Sequence, residues 1–386
     1  MTSSAFPVLW LCGPPGVGKS TVGWELFAEL DRAGVAAGYV DIDQLAMSFP
    51  TTDDDPGRDR MKARNVRAVI ANARAAGARC VIVSGVLEVD TVGVYVDQLD
   101  EVTLTWCRLR VGRDQITERL ARRGWSDGAV EESLQNAESM NGSDFADLSV
   151  DTSGLSVLEV AGLVRAGVAW WPAAGGERAR DSASPVSSAS AAPGPVLWVC
   201  GPTGVGKSSV GWVIFEEALA AGVNAAFVDL QQIGFCRPDP TDDPDNHRMK
   251  AANLAALWTA YRDAGAQCLI LNGQVDTVDD VQRYTDALPA ATVMLCRLRA
   301  GRSELTRRIL RRGEPGGLEL AGDELVGQPY VVLRRVIEGA IAIGEELERA
   351  EIGELRVETD GRGIDEVARE IRSLADDWPH GALARR

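Results

Sequence analysis

The sequence predicts an α/β protein with two tandem domains, each a mainly parallel sheet sandwiched by helices. Apolar runs alternate with helix-like segments, and a continuous apolar run such as 80–85 is typical of a buried parallel strand. The pattern also repeats: residues 13–85 align with residues 201–273 at a constant offset of 188. An apolar fraction of 45% with 25% charged residues suits a globular chain of this length with two ordinary domains.

The two halves are joined by residues 172–195, which are rich in Ala, Ser, Pro and Gly. This composition is typical of a flexible linker. We therefore predict a first domain at 1–171, a linker at 172–195 and a second domain at 196–386, and we expect the two halves to contact each other. The later alignment offsets of 189 and 207 indicate extra residues in the second half, an insertion at about 314–345.

The elements of the first half follow one another as an α/β fold requires. A first strand, 8–12, enters a glycine-rich loop, and a helix over 22–32 follows it. The later predictions are a strand at 36–43 that ends in carboxylates, a helix at 58–76, strands at 80–85 and 102–109, an arginine-rich helix at 116–123 and a short strand at 149–152.

Charge and composition exclude several classes of function. A net charge of −16 and a pI of about 4.7 argue against sequence-independent binding to nucleic acid and against an anionic membrane surface. No apolar run approaches the ~20 residues of a membrane span. The N-terminal apolar run is interpreted as a strand rather than a signal peptide. Seven cysteines without a C-x-x-C pattern indicate reduced thiols in a cytoplasmic protein.

The segments GPPGVGKS (13–20) and GPTGVGKS (201–208) fit G-x-x-x-x-G-K-[ST], the phosphate-binding loop or P-loop. Its glycines let backbone N–H groups surround phosphate oxygens, and the helix behind it adds a positive N-terminal end. We expect the lysine to reach the β- and γ-phosphates and the following serine to ligate Mg²⁺. The predicted nucleotide-binding residues are Gly13, Gly16, Gly18, Lys19, Ser20, Thr21, Gly201, Gly204, Gly206, Lys207, Ser208 and Ser209.

Other P-loop classes lack their marks here: there is no N-K-x-D, no Asp-Glu strand end and no L-S-G-G-Q. The remaining pattern combines the two loops with Asp41-Ile42-Asp43, the arginine helix 116–124 and a terminal Val-Asp-Thr strand. It resembles the small P-loop kinases, the group of shikimate, gluconate and adenylylsulfate kinases. It is also similar to tandem-duplicated actinobacterial proteins labelled AAA-family ATPase or ATP-binding protein. The resemblance implies two P-loop NTPase (kinase-like) domains that use ATP and Mg²⁺ with a small-molecule acceptor.

The resemblance also implies roles for single residues. Asp41 and Asp229 would serve the Mg²⁺ shell with Ser20 and Ser208, and Asp43 would orient or deprotonate the acceptor. A solvated loop acid is the alternative for these carboxylates. The second half has Gln231 where the first has Asp43, and Gln cannot act as a base. The arginines that would close over the phosphates are Arg119, Arg123, Arg308 and Arg312, and the alternative for them is an exposed basic helix face. The resemblance makes them part of a lid, which would be short in the first half, at 125–130, and longer in the second, with the insertion at about 314–345.

The acceptor side is predicted from residues near the start of the second helix and the ends of the strands. The chain has only four lysines, and Lys62 matches Lys250 at the offset of 188, which leaves a functional role or a solvated charge open. The predicted acceptor-binding residues are Asp43, Arg60, Asn65, Gly85, Arg248 and Asn253.

Two classes of function stay open at this stage. The first is an ATP-dependent phosphotransferase acting on a hydroxyl of a small molecule, with the first half as the better-equipped site. The second is an ATP-binding regulatory or scaffold protein that changes conformation without an acceptor.

Overall fold

The computed structural model describes residues 5–174, 189–241, 243–314, 325–376 and 378–379. Its first half alternates strands and helices as predicted. It also contains elements that the sequence did not predict: a strand at Ser48–Phe49, helices at Val92–Gln98 and Asp127–Asn141, and 3₁₀ turns at Ile42–Leu45 and Val89–Thr91. In chain order the elements are β1 Phe6–Cys12, α1 Lys19–Arg32, β2 Ala37–Asp41, β3 Ser48–Phe49, α2 Asp59–Ala75, β4 Cys80–Ser84, α3 Val92–Gln98, β5 Val102–Arg110, α4 Arg113–Arg122, α5 Asp127–Asn141, β6 Leu148–Asp151 and α6 Val157–Gly167.

The second half follows the same order of elements, with a 3₁₀ turn at Pro244–Asn246. Its first strand begins two residues before the predicted start of the second domain at 196, and the linker residues 175–188 lie outside the described residues. The elements are β7 Gly194–Cys200, α7 Lys207–Ala220, β8 Ala225–Asp229, β9 Phe235–Arg237, α8 His247–Asp263, β10 Cys268–Asn272, α9 Val278–Ala287, β11 Ala291–Arg299, α10 Arg302–Arg312, α11 Tyr330–Arg349, β12 Leu355–Glu358 and α12 Ile364–Leu374.

The chain forms two compact units, and each contains a short segment from the other half of the sequence. Unit 1 comprises the described residues of Met1–Ala46, Asp55–Val186 and Gly234–Met249. Unit 2 comprises those of Met47–Asp54, Ser187–Ile233 and Lys250–Arg386. Nothing in the sequence pattern predicted this exchange of segments.

Each unit is built on one six-stranded sheet. The strand order is β6-β5-β1-β4-β2-β9 in unit 1 and β12-β11-β7-β10-β8-β3 in unit 2. All neighbouring strands are parallel except the last pair of each sheet, β2 with β9 and β8 with β3. The prediction of an α/β fold with mainly parallel sheets is therefore confirmed. Parallel strands bring their carboxyl ends to one edge, so the ends of β1, β2 and β4 lie beside the P-loop.

The central strands of both sheets are buried because helices cover both faces of each sheet. Strands β4, β7 and β10 are buried along their whole length. Trp10 on β1 contacts Tyr95 on α3 edge-to-face at 4.9 Å, and Trp198 on β7 contacts Tyr284 on α9 at 5.3 Å. All seven cysteines are buried and reduced. Among the described residues, no helix is both long and apolar enough to cross a membrane.

The segment after the arginine helix differs from the prediction of a short lid at 125–130. It forms α5, whose first turn is capped by the Ser126 hydroxyl accepting from the Ala129 N–H at 3.4 Å. Val130, Leu134 and Ala137 are spaced by helical turns and pack against α4, which explains why the segment is a helix. Of the predicted insertion at 314–345, residues 315–324 lie outside the described residues, and the rest includes the start of α11.

Candidate nucleotide-binding site

In each unit the P-loop connects a buried strand to the first turn of a helix. Gly13 has a φ of +143°, and a Cβ there would lie 2.5 Å from the Leu109 carbonyl oxygen, so only glycine fits. Gly18 caps α1 in the left-handed region with a φ of 102°. Gly201 and Gly206 repeat both features in the second loop, with a Cβ-to-oxygen distance of 2.6 Å at Gly201 and a φ of 102° at Gly206.

The loop lysines lie at the first residue of α1 and α7, with their ammonium groups against the loop. Lys19 Nζ donates to the Pro14 carbonyl at 3.0 Å, and Lys207 Nζ donates to those of Gly201 and Pro202 at 2.8 and 3.0 Å. Burial lowers the pKa of Lys19, and the carboxylates of Asp43 and Asp41 oppose the shift. Burial also lowers the pKa of Lys207 to about 8, opposed first by Asp229. A phosphate bound nearby would therefore favour the charged form of both lysines.

Behind each loop, a serine and an aspartate meet at the carboxyl end of a strand. The Ser20 hydroxyl donates to Asp41 Oδ2 at 2.9 Å, and the Ser208 hydroxyl donates to Asp229 Oδ2 at the same distance. Mg²⁺ prefers such hard oxygen ligands, and adjacent ligands in its octahedral shell lie ~3 Å apart at bond lengths of ~2.1 Å. The donor sets of both halves therefore fit Mg²⁺. Among the described residues no group of three or more His, Cys, Asp or Glu side chains forms a metal cage.

In unit 1 a chain of hydroxyl groups supports Asp41. The Ser84 hydroxyl donates to Asp41 Oδ2 at 3.2 Å, and the Tyr39 hydroxyl lies 2.8 Å from Ser84 Oγ. A serine hydroxyl has one proton, so Tyr39 is the donor to Ser84. Burial raises the pKa of Tyr39 above its usual value, which keeps this donor protonated. The second oxygen of Asp41 accepts from the Asp43 N–H at 3.0 Å, so both of its oxygens are held.

Unit 2 lacks this hydroxyl chain. Phe227 occupies the position of Tyr39, and Asn272 lies beside Asp229 on the neighbouring strand, as Ser84 lies beside Asp41. The Asn272 side chain is fully buried, and neither atom of its carboxamide has a hydrogen-bond partner among the described residues. It packs on Gly211, where a Cβ would lie 2.2 Å from Asn272 Oδ1. Asp229 therefore keeps its serine contact and the Gln231 N–H at 3.0 Å.

Asp43 lies one residue into the 3₁₀ turn that follows β2, and its side chain is 45% exposed. Lys62 Nζ on α2 is 3.6 Å from Asp43 Oδ1, and the Lys62 side chain is only 12% exposed. Burial and then repulsion from Asp43 raise the pKa of Asp41, and the Ser20 hydroxyl opposes the shift. The structure thus brings Lys19, Asp41, Asp43 and Lys62 together at one end of the sheet.

The predicted arginines lie on α4 and α10 or directly after α4, and one of each pair contacts its P-loop. Arg119 Nη1 donates to the Gly16 carbonyl at 3.1 Å, and Arg308 Nη1 donates to the Val205 carbonyl at 2.9 Å. Arg308 also donates to Thr359 Oγ1 and to the Thr359 carbonyl, at 3.0 and 2.8 Å. Arg123 and Arg312 are exposed, and their charges lower the pKa of Lys19 and Lys207 respectively. Helices α4 and α10 therefore each place one arginine against the P-loop of their unit, and the second arginine of each pair is exposed.

Several predicted acceptor residues contact the turn that carries the acids. Asn65 is buried and donates from Nδ2 to the Leu45 carbonyl at 2.6 Å, and Asn253 donates to the Ile233 carbonyl at 2.9 Å. A Cβ at Gly85 would lie 2.1 Å from Ile42 Cγ1, so Gly85 leaves room for this turn.

The remaining predicted residues lie at the surface or at helix starts. Arg60 is exposed, and its N–H donates to Asp55 Oδ1 at 3.2 Å. Arg248 lies 3.7 Å from Asp243 Oδ2 through Nε, and its N–H donates to the same carboxylate. Thr21 and Ser209 follow the loop serines on the exposed face of their helices.

In unit 2 the P-loop opens into a cavity of about 1040 Å³. The loop and the arginines of α10 form one side, and Gln231 and Gln232 line the end beyond Asp229. Residues 361–364, between β12 and α12, and the apolar side chains of Leu325 and Val336 line the rest. This volume is at the upper end of the usual range for small-molecule sites.

Sequence reasoning left two functional features undetermined. The role of Lys62 was open, although its match with Lys250 in a chain with four lysines was the signal that could have decided it. The support of Asp41 by Tyr39 and Ser84 was missed entirely, because a strand tyrosine and serine carry no local signal of their own.

A glycine loop between a buried parallel strand and a helix, with its lysine and a serine–aspartate pair, defines a P-loop nucleotide-binding protein. Residues 8–141 match the family model of an AAA domain, which covers the first half up to the end of α5. No curated protein matches the sequence.

Solved structures with similar folds include three bacterial proteins. A gluconokinase from Sinorhizobium meliloti 1021 is 18% identical, with 42% of this chain and 92% of that chain covered and a TM-score of 0.32. The tunicamycin resistance protein of Deinococcus radiodurans is 21% identical, with 47% and 95% covered and a TM-score of 0.33. The APS kinase of Mycobacterium tuberculosis, in complex with AMPPNP and APS, is 21% identical, with 47% and 98% covered and a TM-score of 0.29.

Proposed function

We propose that this protein is an ATP- and Mg²⁺-dependent phosphotransferase that acts on a hydroxyl group of a small molecule, with the first half as the better-equipped site. The observation that carries the proposal is the position of Asp43. This half-exposed carboxylate lies beyond the Ser20–Asp41 pair and within ion-pair distance of Lys62. Phosphoryl transfer needs such a group beside the nucleotide phosphates to receive an acceptor hydroxyl.

The chain supplies the phosphate contacts from the loop, the lysine and the arginine helix. The N–H groups of the loop and the N-terminus of α1 would hold the phosphate oxygens, and Lys19 would bind the outer phosphates. Arg119 already contacts the loop through the Gly16 carbonyl, so its guanidinium lies within reach of a phosphate held there. Fixed positive groups at this point stabilise the charge that develops during transfer.

Ser20 and Asp41 would hold the metal ion in the first half, and Ser208 and Asp229 in the second. When bound, Mg²⁺ would neutralise negative charge on the phosphates. The hydroxyls of Ser20 and Ser84 and the N–H of Asp43 fix both oxygens of Asp41 beforehand. Asp41 therefore needs little rearrangement of its own to act as a ligand.

Asp43 would orient the acceptor hydroxyl and take its proton. Lys62 would hold the carboxylate in place, since its ammonium lies 3.6 Å from Asp43 Oδ1 and its side chain is mostly buried. Arg60 and the open end of the turn would contact the rest of the acceptor. From the net charge of −16 we further infer that the protein acts on small molecules rather than on nucleic acid or membranes. From its free, buried cysteines we infer that it is cytoplasmic.

The second half favours a different role for its own site. Gln231 replaces Asp43 there, while the loop, Lys207 and Arg308 remain in place. We infer that the halves arose by duplication and that the second binds nucleotide without efficient transfer. A protein in which both halves only bind ATP and regulate conformation is the alternative that this observation keeps open.

The test is a transfer assay that screens many candidate acceptors in parallel. Full-length protein is incubated with γ-³²P-labelled ATP, Mg²⁺ and panels of sugars, sugar acids, nucleosides and cyclitols, and labelled products are separated. We expect a labelled product whose rate of formation falls by on the order of 10²–10⁴ in Asp43→Asn. The matched control Gln231→Asn should leave the rate unchanged.

Two results would contradict the proposal. If Asp43→Asn transfers phosphate at the wild-type rate, the acceptor is not activated by this carboxylate. If the wild type binds ATP tightly and labels no compound in any panel, the regulatory alternative is favoured over transfer.

A further inference from the structure

The sheet of each unit ends in a short antiparallel strand that comes from the other half of the sequence. In unit 1, β9 pairs with β2, and Gly38 lies opposite Cys236. In unit 2, β3 pairs with β8, and Ser48 lies opposite Ala226. Ser48 and Cys236 correspond to each other at the sequence offset of 188. Each half therefore donates the same strand to the sheet of the other half.

Core side chains hold both donated strands. In unit 1 the Phe235 ring meets the Trp24 ring edge-to-face at 4.8 Å, and the Arg237 guanidinium lies 5.4 Å from the centre of the Trp24 ring. In unit 2, Phe49 contacts the Phe215 ring at 6.1 Å and packs with Met47 on the unit core. Such aromatic and cation–π contacts add to the burial of the strand itself. The donated strands are thus integral parts of the two cores.

In the first half, β3 cannot pair with β2 in the register that β9 uses unless the turn that carries Asp43 is lost. If Ser48 lay opposite Gly38, as Cys236 does, Leu45 would lie opposite Asp41, and only three residues would remain for the hairpin loop. In the structure those residues belong to the 3₁₀ turn Ile42–Leu45. Ile42 and Leu45 are fully buried, and Asn65 Nδ2 donates to the Leu45 carbonyl at 2.6 Å. A hairpin would unwind this turn and displace Asp43.

The second half has the same conflict. If β9 paired with β8 of its own half in the register that β3 uses, Ile233 would lie opposite Asp229, and three residues would remain for the loop. Ile233 is instead fully buried, and its carbonyl accepts from Asn253 Nδ2 at 2.9 Å. The observed conformation of the turn after β2 and of the turn after β8 therefore requires the next strand to pair with the sheet of the other half.

We propose that the two halves are an obligate pair. In each half the edge strand, β2 or β8, is a docking surface for a short strand of the other half of the same chain, β9 on β2 and β3 on β8. An open edge would otherwise expose unpaired backbone groups to other chains. The pairing goes beyond nucleotide binding or phosphotransfer, and its test needs no activity. A failure of this proposal is therefore distinguishable from a failure of the proposed function.

The test is disulfide mapping in the full-length chain. The Phe227 N–H donates to the Met47 carbonyl at 2.8 Å, which makes Ser48 and Ala226 a non-hydrogen-bonded pair with closely spaced Cα atoms. Such a spacing suits a disulfide. In the double variant Ser48→Cys/Ala226→Cys, mild oxidation should link positions 48 and 226 within a single chain. Peptide mass spectrometry identifies the link, and a denaturing gel shows whether it joins one chain or two.

The native Cys236 provides the opposite outcome in the same protein. If β9 paired with β8 of its own half, position 226 would lie opposite Cys236, and a 226–236 disulfide would form. The matched single variant Ala226→Cys should therefore form no disulfide at position 226. A 226–236 link in either variant, a 48–226 link that joins two chains, or a folded double variant without a 48–226 link would each overturn the proposal.

Discussion

The two candidate nucleotide sites have the same kind of P-loop and differ at the carboxyl ends of β2 and β8. In unit 1, Asp41 accepts hydrogen bonds from the Ser20 and Ser84 hydroxyls, and the Tyr39 hydroxyl donates to Ser84. In unit 2, Phe227 occupies the position of Tyr39, and Asn272 occupies that of Ser84. The buried carboxamide of Asn272 makes no hydrogen bond among the described residues. Asp43 has its counterpart in Gln231.

Under the proposed function, the difference separates the residues that would hold phosphate from the residues that would act on an acceptor. Both halves keep the loop geometry, the lysine, the serine–aspartate pair and an arginine on the loop carbonyl. Only the first half has a carboxylate two residues after this aspartate, Asp43, where the second half has Gln231. Asp43 is the leading charge that opposes the lowered pKa of Lys19. If the proposed roles hold, nucleotide binding and acceptor activation can vary independently in one fold.

The largest expected effect on nucleotide binding is the loss of one site at a time. Lys19→Ala and Lys207→Ala each remove charge-assisted hydrogen bonds to phosphate, worth ~1.5–3 kcal/mol each. Calorimetric titration with a non-hydrolysable ATP analogue and Mg²⁺ should show two sites in the wild type. Each variant should weaken one of them by tenfold to a hundredfold or more, and the other lysine variant is the matched control. Two unaffected sites in both variants would show that the loop lysines do not bind phosphate.

A smaller effect is expected from restoring the missing acid. Gln231→Asp places a carboxylate next to Asp229, where the first half has Asp43. In a Lys19→Ala background, which weakens nucleotide binding in the first half, this change should raise phosphotransfer at the second site. The rate of product labelling is compared with that of Lys19→Ala alone and of Lys19→Ala/Gln231→Asn. An unchanged rate would mean that the deficit of the second half lies elsewhere, for example at Asn272.

The sequence was sufficient for the features that are local. A P-loop is eight consecutive residues between a strand and a helix, so its place at the end of β1 and β7 and the α/β class could be predicted. Helix α5 was not predicted, although Val130, Leu134 and Ala137 have its period.

The strand exchange could not be predicted because both alternatives have the same sequence pattern. Residues 47–49 and 235–237 are equivalent at the offset of 188, so either strand suits either sheet edge. What decides between them is the burial of Ile42 and Leu45 in the turn, which is a tertiary property. The hydroxyl chain behind Asp41 was equally hidden, since Tyr39 and Ser84 lie 45 residues apart on neighbouring strands.

The smallest predicted effect tests that hydroxyl chain. Tyr39→Phe gives the first half the residue of the second, removing the donor to Ser84 and freeing the Ser84 hydroxyl from one of its two contacts. One hydrogen bond of ~0.5–1.5 kcal/mol should weaken the Mg²⁺-dependent part of nucleotide binding about two- to tenfold. Calorimetry with and without Mg²⁺ separates this from a general loss of stability, which would weaken binding equally in both. Phe227→Tyr is the matched control. Equal losses with and without Mg²⁺ would make Tyr39 a packing residue and would remove this difference between the two sites.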